Sequence, residues 1–181
     1  MRILKQECCL VVIDVQERLY PHMYDSQSVL NNMLKLIEGT KVLEIPIILT
    51  QQYTRGLGDT ISDIRSAIGT SSHIEKMSFS CCDEETFNNE LSVLGSKKAI
   101  VCGIESHICV LQTALDLMDK NIIPIVVADC VSSRREYDKE IALKRIQAIG
   151  GIVTTYESIL LELTRFAGTP KFKSISQLIK S

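Results

Sequence analysis

Short runs of almost uninterrupted apolar residues constrain the fold of this chain more than any other feature. Four of them span residues 8–15, 45–51, 98–104 and 123–130, and a fifth β-rich run follows at 150–158. Strands that are covered on both faces have this continuous apolar composition. Helical periodicity occupies the intervening stretches, which are residues 28–44, 83–94, 107–120, 137–149 and 157–166. This alternation favours parallel pairing with right-handed crossovers, so we predict a three-layer α/β/α sandwich with a mostly parallel central sheet.

Length and charge narrow the class of protein further. A chain of 181 residues with 45% hydrophobic and 23% charged residues suits one well-buried domain, which we assign to residues 1–181. The net charge of −2 and the lack of a run rich in Lys and Arg predict no nucleic-acid partner. The apolar runs fall far short of the roughly 20 residues of a membrane span, so we expect no membrane association.

The N-terminal region and the cysteines indicate a cytoplasmic address. Glu7 and Asp14 flank the first apolar run and no small-residue cleavage site follows it, which argues against a secretory signal. The seven cysteines include no Cys-x-x-Cys pair, and their odd number fits a reduced protein. Three are expected inside strands and three at loop edges: Cys8, Cys9 and Cys102 in the first group, Cys81, Cys82 and Cys130 in the second.

One segment interrupts the alternation of strands and helices. Residues 52–80 have weak periodicity and several glycines. Long irregular segments in compact domains are usually functional loops or lids, and we favour that interpretation. The alternative is a loosely packed excursion that contains one short helix at 60–67.

Three side chains are candidates for chemistry, because ligands of doubly wound sheets bind outside the carboxyl ends of the strands. Asp14 interrupts the first strand at that end, and Lys76 closes the irregular segment. Cys109 lies in the first turn of the helix after the 98–104 run, on its polar side, where a free cysteine is unusual. A thiol, a carboxylate and an ammonium group together make a nucleophile with its base and an orienting charge.

Each of these residues also has a plainer interpretation. Asp14 could cap a turn, Lys76 could be a solvated charge, and Cys109 could be a thiol buried beneath a loop. The helix N-terminus and Lys76 favour the thiolate of Cys109, whereas Asp14 opposes it, so the sequence leaves the sign of its pKa shift open. A dyad of Cys109 with His107 is disfavoured, since helical residues two apart do not face each other.

The chain also resembles a known family over nearly its whole length. Its segments "VVIDVQ", "KMSFSCC" and "IVCGIESHICVLQTALDL" are similar to the three signature segments of the isochorismatase-like cysteine hydrolases. The similarity continues through "ILTQQYTRGLG", "VADCVSSR", "TTYESILLEL" and "PKFKSISQLIK". Within that family the chain most resembles the isochorismatase-domain-containing proteins.

The resemblance implies a role for each candidate. The family's aspartate, lysine and nucleophilic cysteine fall on Asp14, Lys76 and Cys109. The aspartate takes the thiol proton, the sulfur attacks a carbonyl, usually that of an amide, and water releases the acid from a covalent thioester. The family's oxyanion hole maps to the backbone N–H groups of Glu105 and Cys109, and its non-proline cis peptide maps to Ile104–Glu105.

The chain departs from the metal-dependent nicotinamidases of this family. These carry an Asp/His cluster after the second strand, where this chain has "TQQYTRGLG" and no Asp or His before Asp59. His22 and His73 are isolated. We therefore expect no metal and no cofactor.

The sequence thus predicts a metal-independent cysteine hydrolase of a small amide or carbamoyl compound. The alternative is a catalytically silent binding or scaffold protein with the same fold; a flavodoxin-like nucleotide binder is disfavoured, since no glycine-rich loop follows the first strand. Residues near the motifs give a tentative substrate pocket, which consists of Gln16, Gln52, Tyr53, Leu57 and Phe79. A homo-oligomer is expected from the resemblance alone.

Overall fold

The apolar runs form one parallel sheet in the computed structural model, which describes residues 2–180. The six strands of these residues are arranged in the order β3-β2-β1-β4-β5-β6, and each neighbouring pair is parallel. The strands are β1 (Cys8–Ile13), β2 (Ile47–Gln52), β3 (Ile74–Lys76), β4 (Lys98–Ile104), β5 (Ile123–Ser132) and β6 (Ile152–Thr154).

Helices cover both faces of the sheet. They are α1 (Ser26–Val42), α2 (Thr54–Leu57), α3 (Ser62–Ile68), α4 (Glu85–Leu94), α5 (Leu111–Asp119), α6 (Glu136–Ala148), α7 (Tyr156–Thr164) and α8 (Pro170–Lys180). Helix α5 is preceded by a wide π turn, Ser106–Val110. No helix within residues 2–180 is long and apolar enough to cross a membrane.

Alternate residues of β1 separate the two halves of the core. Leu10 and Val12 pack into the layer formed with α1, α3, α7 and α8. Val11 and Ile13 pack into the opposite layer, formed with α4, α5 and α6. Because successive side chains of a strand point to opposite faces, this division confirms the predicted three-layer sandwich.

The strand order places a crevice at the carboxyl edge of the sheet. From β1 the chain adds β2 and β3 on one side, and then crosses to the other side to add β4, β5 and β6. The neighbours β1 and β4 therefore form the switch point at which ligands of such sheets bind. Asp14 follows β1 and Glu105 follows β4, so both lie at this switch point.

The structure corrects several predicted boundaries. The irregular segment contains α2, α3 and the edge strand β3. Helix α3 lies close to the short helix at 60–67 that the alternative interpretation named, whereas α2 and β3 were not predicted. That strand has only three residues, and two of them, Glu75 and Lys76, are charged, so its apolar signal is absent. The fifth predicted strand shrinks to β6, because Thr155 caps α7 by accepting a hydrogen bond from the N–H of Ser158. Helix α8 was not among the predicted elements.

Gly103 lies where β4 passes very close to β1. Its φ is +120°, and a Cβ atom built at this position would lie 2.1 Å from the backbone oxygen of Ile13. Backbone atoms cannot give way as a flexible side chain can. Only glycine satisfies both the conformation and the contact at this position.

We expect Gly103→Ala to lower the free energy of unfolding by more than about 3 kcal/mol, since overpacking and backbone strain add at this site. Gly95→Ala is the matched control: Gly95 has a φ of +60°, but a Cβ atom placed on it would meet no other atom within 4 Å. Left-handed strain alone should cost it about 1–2 kcal/mol. Urea unfolding followed by circular dichroism measures both; equal losses would contradict the close-approach explanation.

Candidate active site

Three side chains that the sequence singled out converge at the carboxyl edge of the sheet. The ammonium Nζ of Lys76 lies 2.7 Å from Oδ2 of Asp14 and 3.6 Å from Sγ of Cys109. The side chains of Asp14 and Lys76 are fully buried, and Cys109 is 6% exposed. The structure therefore places a carboxylate, an ammonium and a thiol in one desolvated cluster, although the three come from distant parts of the sequence.

The loop that follows β3 holds the ammonium group of Lys76. Nζ donates hydrogen bonds to the side-chain oxygen Oε1 of Gln52 at 2.6 Å and to the backbone oxygens of Ser78 and Phe79, each at 3.1 Å. These contacts compensate the loss of water around a charge that is almost never fully buried without partners. Lys76 is therefore a fixed part of the site and not a solvated charge.

Burial makes Asp14 a stronger base than an exposed carboxylate. Desolvation raises the pKa of its carboxyl group, against the attraction of Lys76 and a 2.8 Å hydrogen bond that Oδ1 accepts from the hydroxyl of Thr50. For Lys76, desolvation alone would lower the pKa, but the carboxylate of Asp14 raises it above its usual value. The ammonium thus keeps its proton while the carboxylate gains affinity for one.

The surroundings of Cys109 favour its neutral thiol over the thiolate. Burial raises its pKa, Asp14 adds to that shift, and Lys76 only partly offsets it. The structure thereby gives the direction of the pKa shift of Cys109, which the sequence left open. A neutral thiol beside a carboxylate of raised basicity can react only as its proton is transferred, which is general-base activation of a nucleophile.

The π turn explains why Cys109 appeared on the polar side of its helix. Within this wide turn the N–H of Val110 bonds to the carbonyl of Glu105 at 3.2 Å, so a wheel of 100° per residue does not apply there. The polar half of α5 is itself covered: the hydroxyl of Thr113 accepts a 3.0 Å hydrogen bond from the N–H of Cys81. Cys109 consequently lies between the core and the crevice at the carboxyl edge of the sheet.

Glu105 begins this turn, and the peptide bond between Ile104 and Glu105 is cis, as the resemblance implied. Glu105 is the N-cap of this turn, and Cys109 is its fourth residue. The assignment of their N–H groups as donors to an oxyanion stays a prediction.

The expected placement of three cysteines at loop edges needs correction, because all seven cysteines are buried. Cys81 and Cys82 were expected at loop edges but lie in a short 3-10 turn under α5, and burial raises the pKa of each to about 12. Cys130 lies inside β5, which runs two residues further than the apolar pattern indicated. These thiols have less access to solvent than the sequence suggested.

The tentative pocket residues have different environments. Gln16 is fully buried, and its amide donates to the backbone oxygens of Gln52 and Gly58 while it accepts from the N–H of Gln52, so it fastens the strand ends. Gln52 contacts Lys76, as described above. The remaining three lie toward the surface: Leu57 is partly exposed, and Tyr53 and Phe79 are about half exposed.

The histidines have partners away from the thiol. Nδ1 of His107 lies 2.9 Å from the hydroxyl of Ser133, and Nε2 of His73 lies 3.9 Å from a carboxylate oxygen of Glu75. His22 ends an exposed 3-10 turn. Within residues 2–180, no group of three His, Cys, Asp or Glu side chains has an arrangement that could hold a metal ion.

Sequence reasoning missed Thr50 and Thr113 as supports of the site. Thr50 bonds to Asp14, and Thr113 holds the turn at Cys81. One signal was available for the first of them. The polar run "TQQ" ends a strand that is buried on both faces, and buried polar groups need partners.

Comparison with known proteins gives a consistent family assignment. The sequence model of the isochorismatase domain matches residues 8–158. The "Secreted isochorismatase effector Isc1" of Phytophthora sojae is 37% identical over 99% of this chain and 87% of that protein. The "Isochorismatase domain-containing protein 2" of Danio rerio is 35% identical over 98% of this chain and 89% of that protein.

Solved structures show the same fold. The MAR1 ribonuclease of Caenorhabditis elegans superposes with a TM-score of 0.93 at 34% identity, over 100% of this chain and 93% of that one. The YcaC gene product of Escherichia coli, described as an octameric hydrolase of unknown specificity, gives a TM-score of 0.91 at 21% identity, over 98% and 90% of the two chains. At the latter identity the likeness concerns the fold alone.

The raised pKa of Cys109 predicts how its alkylation depends on pH. Because the thiolate is the reactive form, the rate should rise about tenfold per pH unit while the pH stays below the thiol pKa. We expect iodoacetamide to modify the Cys109 peptide at a rate that increases without a plateau between about pH 7 and pH 9.

Mass spectrometry of the labelled peptides measures this rate. Cys109 and Cys82 are the most exposed of the seven thiols, at 6% each, and Cys109 also contacts the ammonium of Lys76, so it should be labelled first. Lys76→Met should slow the labelling of Cys109 at every pH, since it removes the positive charge nearest the sulfur. A rate that is already maximal at pH 7 would mean a preformed thiolate.

Proposed function

This chain belongs to the isochorismatase family, and on that premise we propose that it is a metal-independent cysteine hydrolase that cleaves a small amide or carbamoyl compound through a thioester on Cys109. One observation carries the proposal: Lys76 contacts both the carboxylate of Asp14 and the sulfur of Cys109 in a buried cluster. A purely structural ion pair rarely has a thiol in contact with it. A nucleophilic thiol, in contrast, must lie close to its general base.

The first half of the reaction forms the thioester. Asp14 accepts the thiol proton of Cys109 as the sulfur attacks the carbonyl carbon. The backbone N–H groups of Glu105 and Cys109 stabilise the oxyanion of the tetrahedral intermediate. The intermediate then collapses: the C–N bond breaks, and the proton held by Asp14 moves to the departing nitrogen, which leaves as ammonia or an amine.

The second half releases the acid. A water molecule gives a proton to the Asp14 carboxylate and attacks the thioester carbonyl. When the C–S bond breaks, the sulfur recovers that proton and the carboxylic acid leaves. With a ureido compound the same proton transfers give a thiocarbamate on Cys109 and an amine, and water then releases carbamic acid, which decomposes to ammonia and carbon dioxide.

Charge balance within the cluster supports this sequence of proton transfers. Before the attack the cluster holds one negative carboxylate, one ammonium and a neutral thiol. After the proton transfer it holds a neutral carboxyl group, the same ammonium and a thiolate, so the net charge stays zero. Creating an unbalanced charge in such a buried site would be costly, and Lys76 removes that cost in both states.

Two other functions compete with this proposal. A silent scaffold would explain the fold but not the buried thiol beside its base. The C. elegans structure is described as a ribonuclease, but phosphate recognition usually employs several uncompensated basic groups. Here the lysine of the cluster is paired with Asp14, and the net charge of the chain is −2.

We further propose that the protein acts on a small-molecule substrate in the cytoplasm, without a nucleic-acid partner, and that it forms a homo-oligomer. The octameric assembly described for the E. coli YcaC structure, which has the same fold, supports the oligomer. The P. sojae relative is named a secreted effector, so the cytoplasmic address differs from the location in that name.

A panel of small amides, ureido compounds and carbamates, with an RNA oligonucleotide included, tests the proposed reaction by ammonia or amine release. Cys109→Ser and Asp14→Asn should each lower kcat/KM by at least about 10³-fold, and intact-mass spectrometry should detect an acyl adduct on the wild-type chain. Cys8→Ser is the matched control, since Cys8 lies in the opposite half of the core, and it should retain activity. Turnover that survives Cys109→Ser, or cleavage of RNA alone, would refute the proposal.

Metal removal gives a separate test. Residues 53–58, which follow β2, include no Asp, His or Cys, and Gln52 at the end of β2 is already bonded to Lys76 and to the backbone oxygen of Met77. We therefore expect hydrolysis to persist after dialysis against EDTA. Activity that disappears with the chelator and returns with a divalent ion would show that the mechanism needs a metal.

A further inference from the structure

The carboxylate of Glu105 is buried but only partly paired. Its side chain is 7% exposed, and Oε1 lies 3.4 Å from Nε of Arg134. The other oxygen, Oε2, is shielded from solvent and has no hydrogen-bond partner among residues 2–180. The hydroxyl of the next residue, Ser106, is also buried and without a partner in the same part of the chain. Buried polar atoms of this kind are rare, and they commonly await a water or a ligand.

Glu105 lies directly beside the proposed reaction centre. It follows the last residue of β4 at the crevice between β1 and β4, and its carbonyl oxygen holds the turn that carries Cys109. Its own N–H is one of the proposed donors to the oxyanion. The side chain therefore belongs to the residue whose backbone would hold the reacting carbonyl.

Arg134 neutralises this carboxylate only in part. Its side chain is 61% exposed, and ion pairs of such exposed groups contribute little because water screens them. Arg134 contacts the oxygen Oε1, and Oε2 has no hydrogen-bond partner among residues 2–180. Asp14, the other carboxylate at the crevice, is already paired with Lys76. Glu105 thus supplies a carboxylate oxygen at the crevice that has no donor among residues 2–180.

We propose that Glu105 determines substrate specificity by accepting a hydrogen bond from a nitrogen donor of the substrate. The substrate class is then small amides or ureido compounds that carry a second N–H or amino group, and compounds with a carboxylate at that position are rejected. The effect of Glu105 on turnover rests on the proposed function. The preference of its carboxylate for a cationic over an anionic compound does not require turnover. A charged hydrogen bond of this kind corresponds to about 10- to 100-fold in kcat/KM.

Three primary amides of similar length test the preference in turnover. They are 3-aminopropanamide, which is cationic, butanamide, which is neutral, and succinamic acid, which is anionic. The wild type should prefer them in that order. Glu105→Gln should reduce the ratio of kcat/KM for the cationic over the neutral amide by at least about tenfold. A purely structural role would lower all three values together and leave the ratios unchanged.

Chemical modification tests the same preference without catalysis. The 2-aminoethyl and 2-sulfonatoethyl methanethiosulfonates differ in charge, and each forms a disulfide with the Cys109 sulfur while methanesulfinate leaves. The ratio of the two rates at the Cys109 peptide, measured by mass spectrometry, should favour the cation in the wild type. Glu105→Gln should lower this ratio about tenfold, and Arg134→Gln should raise it, because Glu105 then loses its partial partner.

Glu90→Gln is the matched control, since it removes the same charge from the exposed surface of α4 and should leave the ratio unchanged. An unchanged ratio in Glu105→Gln would overturn the inference. If no amide is turned over or acylates the wild type, the proposed function fails, yet the modification ratio still decides the role of Glu105.

Discussion

The buried ion pair between Asp14 and Lys76 is the interaction on which the rest of the site depends. Two charges have left water, and they are tolerated because they lie 2.7 Å apart and each has further hydrogen bonds. Removing one partner of such a pair typically costs about 3–5 kcal/mol, since the other charge stays buried. The pair therefore constrains both the stability of the carboxyl edge and its chemistry.

The irregular segment between β2 and α4 is organised around the ion pair of Asp14 and Lys76. The carbonyl of Lys76 accepts a hydrogen bond from the N–H of Tyr53, which links the residue after β2 to the last residue of β3. Glu84 accepts hydrogen bonds from the N–H groups of Met77 and Ser78 and from the Ser78 hydroxyl, so the loop after β3 is held from outside as well. The part of the segment around β3 thus depends on polar contacts, several of them to Lys76, whereas α3 packs on the core.

This difference explains which parts could be predicted from the sequence. Strands β1, β2, β4 and β5 are stabilised by apolar burial on both faces, which leaves a continuous signal in the sequence. Strand β3 is stabilised by the partners of Lys76, and hydropathy does not record such contacts. The convergence of Asp14, Lys76 and Cys109 was predictable because parallel strands end at one edge and because the motifs resemble those of a family.

Other features of the site depended on three-dimensional context. The pKa shift of Cys109 is set by burial under the segment near Cys81, and that coverage was invisible in a helix wheel. The same limitation applies to Glu105. The pairing of its carboxylate depends on Arg134, which lies just beyond the end of the neighbouring strand β5 and contacts only one carboxylate oxygen. The sequence does not show which residue lies beside Glu105.

Gln52 shows how the fold makes the site rigid before any substrate arrives. Its N–H bonds to Gln16, which follows β1, and its side chain bridges Lys76 and the carbonyl of Met77, beyond β3. One residue at the end of β2 therefore links the ends of three neighbouring strands. Each of these bonds fixes the position of the ammonium relative to the sulfur. Fixed dipoles and charges stabilise a developing charge without reorganising, so in the proposed reaction the network that satisfies the buried lysine would also prepare it to stabilise the thiolate.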